Sequence, residues 1–272
     1  EGTEMIGVVK ADGYGHGSVP VACAIDSYVS GYATATPEEA VILRKHGITK
    51  PILILGVSPE SSFSQLIEYD LRPAIFRYES AARLSELAVQ AGKRASIHIA
   101  LDTGMSRIGY PVTAAAAEET ARISRLPGIR IEGLFAHFAR ADEKDKGATD
   151  RQMELFTTFV SMLSERGVTI PVLHCSNSAG ILELPKANFN AVRAGISIYG
   201  LYPSDEVEKE PVRLIPAMEL KSTITYLKTI APGTPVSYGG TFTAERETSI
   251  ATIPVGYGDG YPRALSGQAD VL

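Results

Sequence analysis

A (β/α)8 barrel followed by the start of a β-rich domain is the architecture this sequence predicts. Two observations carry it. Between Met5 and Tyr199, short apolar, β-branched runs alternate with helix-like stretches, as repeated βα units around a parallel sheet do. After Pro203 the helical pattern disappears and alternating strand-like segments take over. The barrel is placed over residues 1–210 and the N-terminal part of a β-rich domain over 211–272.

The first predicted strand is Met5–Val9 and the second Tyr28–Thr34, followed by a helix at Pro37–Arg44. That helix opens on Pro37-Glu-Glu, a proline and two acids in the first turn, where the exposed N–H groups favour them. Pro51–Gly56 is the third strand, with a helix near Glu60–Glu68; Leu71–Phe76 is the fourth, with a helix at Ser80–Ala91. Ala95–Leu101 and Ile129–Phe138 are the fifth and sixth strands, their helices at Val112–Arg125 and Asp150–Arg166. Pro171–Cys175 and Ala191–Tyr199 complete the eight. Ser204–Pro211, with three glutamates, reads as a linker, and Met218–Ile230, Pro235–Tyr238 and Thr248–Val255 as strands of the second domain. A doubly wound open sheet is the main competitor. It needs fewer strands, and Gly13-Tyr-Gly15 lacks the third glycine of a dinucleotide fingerprint.

The 272 residues are 44% hydrophobic and 21% charged, an ordinary composition for a protein with a large core. A net charge of −5 gives no electrostatic reason to expect nucleic acid. No apolar run reaches the ~18 residues of a membrane span, and no signal peptide is visible. Cys23 and Cys175 are isolated, which suits neither a zinc site nor a disulfide framework and points to a reducing cytoplasm. Glu1 at the start and Ala269-Asp-Val-Leu272 at the end, which reads as an interrupted strand, suggest a chain cut at both ends.

In a (β/α)8 barrel, reactive residues gather at the C-terminal ends of the strands. Lys10 follows the first strand and leads into Ala-Asp-Gly-Tyr14-Gly-His-Gly17. A lysine desolvated there loses basicity and becomes a nucleophile suited to a Schiff base with an aldehyde such as pyridoxal phosphate (PLP). Strand five leads to Arg107, six to His137, seven to His174 and Ser178, and eight contains Arg193 ahead of Gly195 and Ile196. One basic nucleophile, two arginines, two histidines and a serine at one mouth suit an anion with an aromatic ring better than a metal. His137 and His174 have no carboxylate beside them at a strand end to complete a metal site. Each of these residues taken singly has a plain structural use; Ser178 in particular reads as a helix N-cap as well as a phosphate ligand.

The run Val8-Val-Lys10-Ala-Asp-Gly-Tyr-Gly-His-Gly17 resembles the PLP-lysine signature of alanine racemases. Leu101-Asp-Thr-Gly-Met-Ser-Arg-Ile-Gly109, Ala136-His-Phe-Ala-Arg-Ala-Asp-Glu143, His174-Cys-Ser-Asn-Ser-Ala179, Val192-Arg-Ala-Gly-Ile-Ser-Ile-Tyr-Gly200, Val236-Ser-Tyr-Gly239 and Ile253-Pro-Val-Gly-Tyr-Gly-Asp-Gly260 are similar to that family's later motifs, in order. The resemblance covers nearly the whole chain and implies a PLP-dependent, cytoplasmic, homodimeric enzyme that interconverts L- and D-alanine for peptidoglycan. It implies that Lys10 carries PLP and serves as one catalytic base, and that Tyr238 is the other, reaching the partner subunit's site. It gives Tyr14, Ser178 and the backbone near Gly195 and Ile196 to the phosphate, Arg107 to the phenolic oxygen and Arg193 to the pyridine nitrogen. His174 braces Arg193, His137 links the cofactor to the second base, and Asp142, Tyr257 and Arg263 line the substrate entrance. Where many family members carry a carbamylated lysine, this chain has Ala100, so a small anion or another non-lysine group is expected at Arg107. Arg140 adds a bulky charge near the expected entrance. A serine or broad-specificity racemase, a barrel-type PLP decarboxylase and a non-catalytic PLP carrier are the alternatives.

Overall fold

The computed structural model describes residues 2–210 and 212–270. Eight strands form one parallel sheet: β1 (Glu4–Val8), β2 (Gly31–Thr34), β3 (Ile52–Ile54), β4 (Arg72–Ile75), β5 (Ala95–Asp102), β6 (Ile129–Phe135), β7 (Val172–His174) and β8 (Ala191–Ala194). The spatial order is β7-β6-β5-β4-β3-β2-β1-β8, and a two-residue strand at Tyr110–Pro111 pairs with β5. β8 returns to pair with β1, so that Ile6 lies opposite Arg193. Between β7 and β8 the contact is thinner: the Arg193 N–H donates to the Ser176 carbonyl at 3.0 Å, and the Leu173 N–H to the Asn190 side chain at 2.6 Å. The barrel is therefore nearly closed, with its seam between those strands.

Helices α1 (Ser18–Ile25), α2 (Pro37–Lys45), α3 (Phe63–Glu68), α4 (Tyr78–Gln90), α5 (Ala114–Ser124), α6 (Gly147–Glu165) and α7 (Ser178–Glu183) connect the strands in turn. α2 starts as its sequence requires, with Thr36 accepting the Glu39 N–H and Pro37 in the first turn. α1 and α7 are not legible as helices in the sequence; both are short, and α7 holds a glycine. The segment expected as the eighth strand ends at Ala194 and becomes a 3-10 turn at Ile196–Tyr199.

The core has two parts. Outward-facing strand residues such as Ile52, Ile54, Ile97 and Ile99 pack under helix residues such as Leu43, Leu66, Leu84, Phe156 and Phe159. Inside the barrel, Ile6, Val8, Ala33, Leu53 and Ala191 fill one side, and Ala74, Ala100 and Phe135 form a smaller apolar cluster. Strand alternation places Arg72, His98 and Arg193 on the same inward faces as Ala74, Ala100 and Ala191, and the barrel interior beside β4–β8 is accordingly polar.

The chain forms two compact units, Glu1–Met218 and Glu219–Leu272. Residues after Ser204 do not behave as a free linker: Val207 is buried, the Ser204 hydroxyl donates to the Asp142 carbonyl at 3.0 Å, and the Lys144 N–H donates to Glu206 at 2.9 Å. The first unit runs past residue 210 because the Leu214 N–H donates to the Tyr202 hydroxyl and the Ala217 N–H to the Tyr199 carbonyl. Pro211, the end of the expected linker, lies outside the described residues.

In the second unit, β9 (Tyr226–Ile230) pairs antiparallel with β12 (Thr248–Thr252), and β10 (Pro235–Val236) with β11 (Phe242–Thr243). The strand expected from Met218 begins only at Tyr226, with the Thr225 N–H just before it donating to the Thr252 carbonyl at 2.9 Å. Ala269 and Asp270 are irregular, and Val271 and Leu272, expected to begin another strand, lie outside the described residues. No helix among the described residues is long and apolar enough to cross a membrane.

Candidate active site

β1 delivers Lys10 to the C-terminal mouth of the barrel, and the chain then makes an unusual turn. Ala11, Asp12, Gly13 and Tyr14 all have positive φ, between 49° and 63°, and form one turn of left-handed helix. Only Gly13 adopts it freely; each other residue costs about 1–2 kcal/mol. The turn is held from outside. Glu39 on α2 accepts the Ala11 N–H and, through its other oxygen, the Ala35 N–H, both at 2.7 Å. Asp12 accepts the Ser18 N–H at 2.8 Å, tying the turn to α1. Tyr199 packs its ring on Tyr14 with centroids 4.8 Å apart and donates its hydroxyl to the Val8 carbonyl at 2.9 Å. Neither Glu39 nor Tyr199 stands out in the sequence, because each acts on residues distant along the chain.

Two cavities, each of about 230 Å³, flank Lys10. One is lined by Tyr14, His137, Asp142, Ser178, Arg193, Gly195 and Ile196 among others. The other adds Ala100, Met105 and Arg107. The structure thus brings together Lys10, Tyr14, Arg107, His137, Asp142, Ser178, Arg193, Gly195 and Ile196. Partial burial lowers the basicity of Lys10, with Arg107 and Arg193 adding to the effect while Glu39 opposes it. Burial raises the Tyr14 phenol, leaving it a protonated donor.

Arg193 is 2% exposed and held by four acceptors at 3.0 Å or less, with His137 Nδ1 as an additional, longer contact. One terminal nitrogen donates to His174 Nδ1 at 2.6 Å and the His174 carbonyl at 3.0 Å; the other donates to the carbonyls of Ala136 at 2.7 Å and Cys175 at 3.0 Å. A guanidinium has five N–H bonds. The fifth, on Nε, has no protein acceptor among the described residues, and the side chain lines the cavity. Burial pulls Arg193 down to about 10, so it stays charged at neutral pH. Burial followed by the Arg193 charge holds the His174 imidazole neutral. His137 Nδ1 lies 3.3 Å from the second terminal nitrogen, and burial, Arg193, Arg107 and Lys10 drive its pKa down to about 3.

Ser178 is the first residue of α7 but does not cap it; Asn177 does, accepting the Gly180 N–H at 3.1 Å. The chain enters α7 one residue earlier than the sequence suggests, which frees the Ser178 hydroxyl. It instead accepts the Gly195 N–H at 3.0 Å and the Ser197 N–H at 3.2 Å. Gly195 therefore spends its N–H inside the protein, while Ile196 N–H has no protein acceptor among the described residues. A Cβ on Gly195 would stand 3.0 Å from the Tyr14 hydroxyl and 3.7 Å from Ser178 Oγ. Glycine keeps open the space where these hydroxyls converge, a cradle suited to a phosphate.

The Asp102–Arg107 loop is shaped by Asp102, which accepts the N–H groups of Gly104 at 2.9 Å and Ser106 at 3.0 Å. Gln152 on α6, which sequence reasoning missed, joins it to the loop after β6. Its side-chain nitrogen donates to Thr103 Oγ1 at 3.2 Å and the His137 carbonyl at 3.1 Å, and its oxygen accepts the Ala139 N–H at 2.9 Å. Arg107 forms no ion pair with a carboxylate among the described residues, whereas Arg140 pairs with Glu143 at 2.6 Å.

The remaining candidates lie in the second unit. Tyr238 opens a 3-10 turn after Ser237, whose φ is +64°, and is 87% exposed. Arg263 lies over the Tyr257 ring, 5.6 Å from its centroid. Among the described residues no group of three or more His, Cys, Asp and Glu is placed to hold a metal.

The donor set fits PLP: an amine of lowered basicity, a hydroxyl-lined glycine cradle, and a charged arginine lining the same cavity. Comparisons with known proteins identify the family. The family model described as alanine racemase, N-terminal domain, matches residues 1–203, and that described as alanine racemase, C-terminal domain, matches 217–272. Alanine racemase 1 of Clostridium acetobutylicum is 47% identical over 99% of this chain and 70% of its own length. Alanine racemase of Desulforamulus reducens is 43% identical over 99% and 73%. Among solved structures, alanine racemase of Clostridium difficile superposes with a TM-score of 0.89 at 41% identity, over 97% of this chain and 69% of that one. A histidine racemase of Leuconostoc mesenteroides gives 0.85 at 26% identity, over 96% and 70%.

Proposed function

We propose that this chain, which belongs to the alanine racemase family, interconverts L- and D-alanine with PLP bound at Lys10. The observation that carries the reading is the convergence of Lys10, Tyr14, Ser178, Gly195 and Arg193 on one cavity. When bound, PLP makes the α-proton of an amino acid removable by spreading the resulting charge into its conjugated ring.

The protein's part is to hold the group and move one proton. Lys10 would carry PLP. Tyr14, Ser178 and the Ile196 N–H would bind the phosphate, and the Nε–H of Arg193 would face the ring nitrogen. Arg193 stays protonated and would give up no proton to that nitrogen. His137, held neutral by burial and three nearby cations, would connect the cofactor region to the second base without adding charge. Arg107 would meet the phenolic oxygen, supported by a small anion or another non-lysine group in place of the side chain that Ala100 lacks.

Racemisation needs a base on each face of the α-carbon. Lys10 would be one, and Tyr238, presented by a partner subunit in a homodimer, the other. The exposure of Tyr238 supports that role. Asp142, Tyr257 and Arg263 would line the approach of the substrate. A cytoplasmic setting, supplying D-alanine to peptidoglycan, is the reading that the family and the two isolated cysteines support.

The test is twofold. Lys10→Ala should abolish the visible absorbance of the covalently bound cofactor, and the unaltered protein in deuterated water should exchange the α-proton of both alanine enantiomers. A Lys10→Ala protein that keeps the band overturns the assignment. Rates with L-alanine and L-serine separate an alanine enzyme from a broader racemase, and carbon dioxide release from a basic amino acid identifies a decarboxylase.

A further inference from the structure

The polar side of the barrel interior continues beyond His174. His174 Nε2 lies 2.9 Å from Nδ1 of His98 on β5. His98 Nε2 faces the Glu132 carboxylate at 3.9 Å. Glu132 in turn accepts from Arg72 on β4 at 2.9 Å and from Arg130 at 3.2 Å, and Arg72 pairs with Asp70 at 2.7 Å. Both histidines are buried, His174 at 0% and His98 at 5% exposure. The Phe135 ring lies over His174 with centroids 5.3 Å apart.

Donor chemistry gives this chain a direction. A guanidinium nitrogen carries only hydrogens, so His174 Nδ1 must accept from Arg193. A neutral His174 then holds its proton on Nε2 and donates to His98 Nδ1. A neutral His98 holds its proton on Nε2, toward Glu132. Every imidazole hydrogen points from Arg193 to the carboxylate. A proton added to either ring would set two donors against each other, and burial also disfavours the charged form of both.

The backbone is shaped for this contact. The pairing of β5 with β6 skips Glu132, passing from Ile97↔Ile131 to His98↔Gly133. This bulge turns Glu132 toward Arg72 and His98. A Cβ on Gly133 would come within 2.3 Å of His98 Nδ1, so the ring lies where only glycine leaves room.

We propose that His98 is a positioning residue for racemisation: it holds His174 in the one tautomer that accepts from Arg193, and thereby steadies the guanidinium where it lines the cavity. Glu132 anchors the far end. The proposal rests on the racemase reading, and its test separates the two. In holoenzyme labelled with ¹⁵N-histidine, two-bond ¹H–¹⁵N spectra report each ring's tautomer directly. His174 is expected as the Nε2–H form throughout the neutral range. His98→Leu removes the acceptor, and His174 should leave that form. His98→Gln restores an acceptor oxygen and should restore the tautomer, while Gly133→Ala should reproduce the leucine phenotype by displacing the ring. α-Proton exchange should fall about tenfold in His98→Leu, the equivalent of one hydrogen bond, chiefly in kcat and with KM little changed, and recover in His98→Gln.

A wild-type His174 in the Nδ1–H form overturns the proposal without any variant having to fold. So does a His98→Leu protein in which His174 is unchanged. If the tautomer behaves as expected but no alanine is racemised, the functional reading fails and the hydrogen-bond chain stands.

Discussion

The Glu39 carboxylate receives the Ala11 N–H at 2.7 Å, and this bond joins α2 to the left-handed turn that follows Lys10. Its second oxygen holds Ala35 at the end of β2. One side chain therefore fastens the turn to the neighbouring strand while the intrinsic preference of Ala11 and Asp12 pulls the other way. Glu39→Ala removes two charge-assisted bonds, each worth about 1.5–3 kcal/mol. We expect weaker cofactor retention, on the order of tenfold or more, together with a lower urea midpoint. Equilibrium dialysis against PLP and chemical denaturation measure the two effects.

Gly195→Ala tests the phosphate cradle. The added methyl would meet the Tyr14 hydroxyl at 3.0 Å. Cofactor affinity should fall about tenfold. Comparable affinity in the variant would remove Gly195 from the phosphate site.

The buried histidines make stability sensitive to acid. His137 titrates near 3 in the folded protein against 6.5 when exposed, and His98 and His174 are shifted in the same direction. Above 6.5 these groups are neutral in both states and contribute no slope. As pH falls from 6.5 toward 3, the unfolded chain takes up protons that the folded protein refuses, so stability is lost. The slope approaches about 1.4 kcal/mol per pH unit for each histidine. Urea midpoints should fall between pH 7 and 5, and His137→Asn should flatten that dependence.

Tyr238→Phe tests the second base. The phenyl ring keeps the shape and removes the hydroxyl that would carry the proton. Racemisation should drop by about 10²–10⁴-fold, the usual range for a general acid–base group, while the cofactor's absorbance stays unchanged. A variant retaining most of its activity would exclude the tyrosine from proton transfer.

The barrel and the residues at its mouth were legible in the sequence because each signal is local: β-branched runs for strands, Pro37-Glu-Glu for a helix start, Lys10 beside glycines. The shape of the Lys10 turn was not. Ala11, Asp12 and Tyr14 have no intrinsic preference for positive φ, and only tertiary partners hold them there. Glu39, Gln152, His98 and Tyr199 escaped notice for a related reason: each acts across tens of residues or more. Ser178 was misread by a single position, since Asn177 and Ser178 are both good caps and only the coordinates show which one turns inward. The alternation from Met218 looked like a strand, but the strand itself begins only at Tyr226, where pairing with Thr248–Thr252 sets in.

The pairing of Ile6 with Arg193 joins the first strand to the last. While the chain emerges from the ribosome, β1 must wait on that side until nearly the whole barrel has been synthesised. The arginine and serine of the cavity belong to this late-arriving end. A nascent chain halted before β8 would display Lys10 without Arg193 or Gly195 beside it, so the wall of the cavity is complete only when the two ends of the barrel meet.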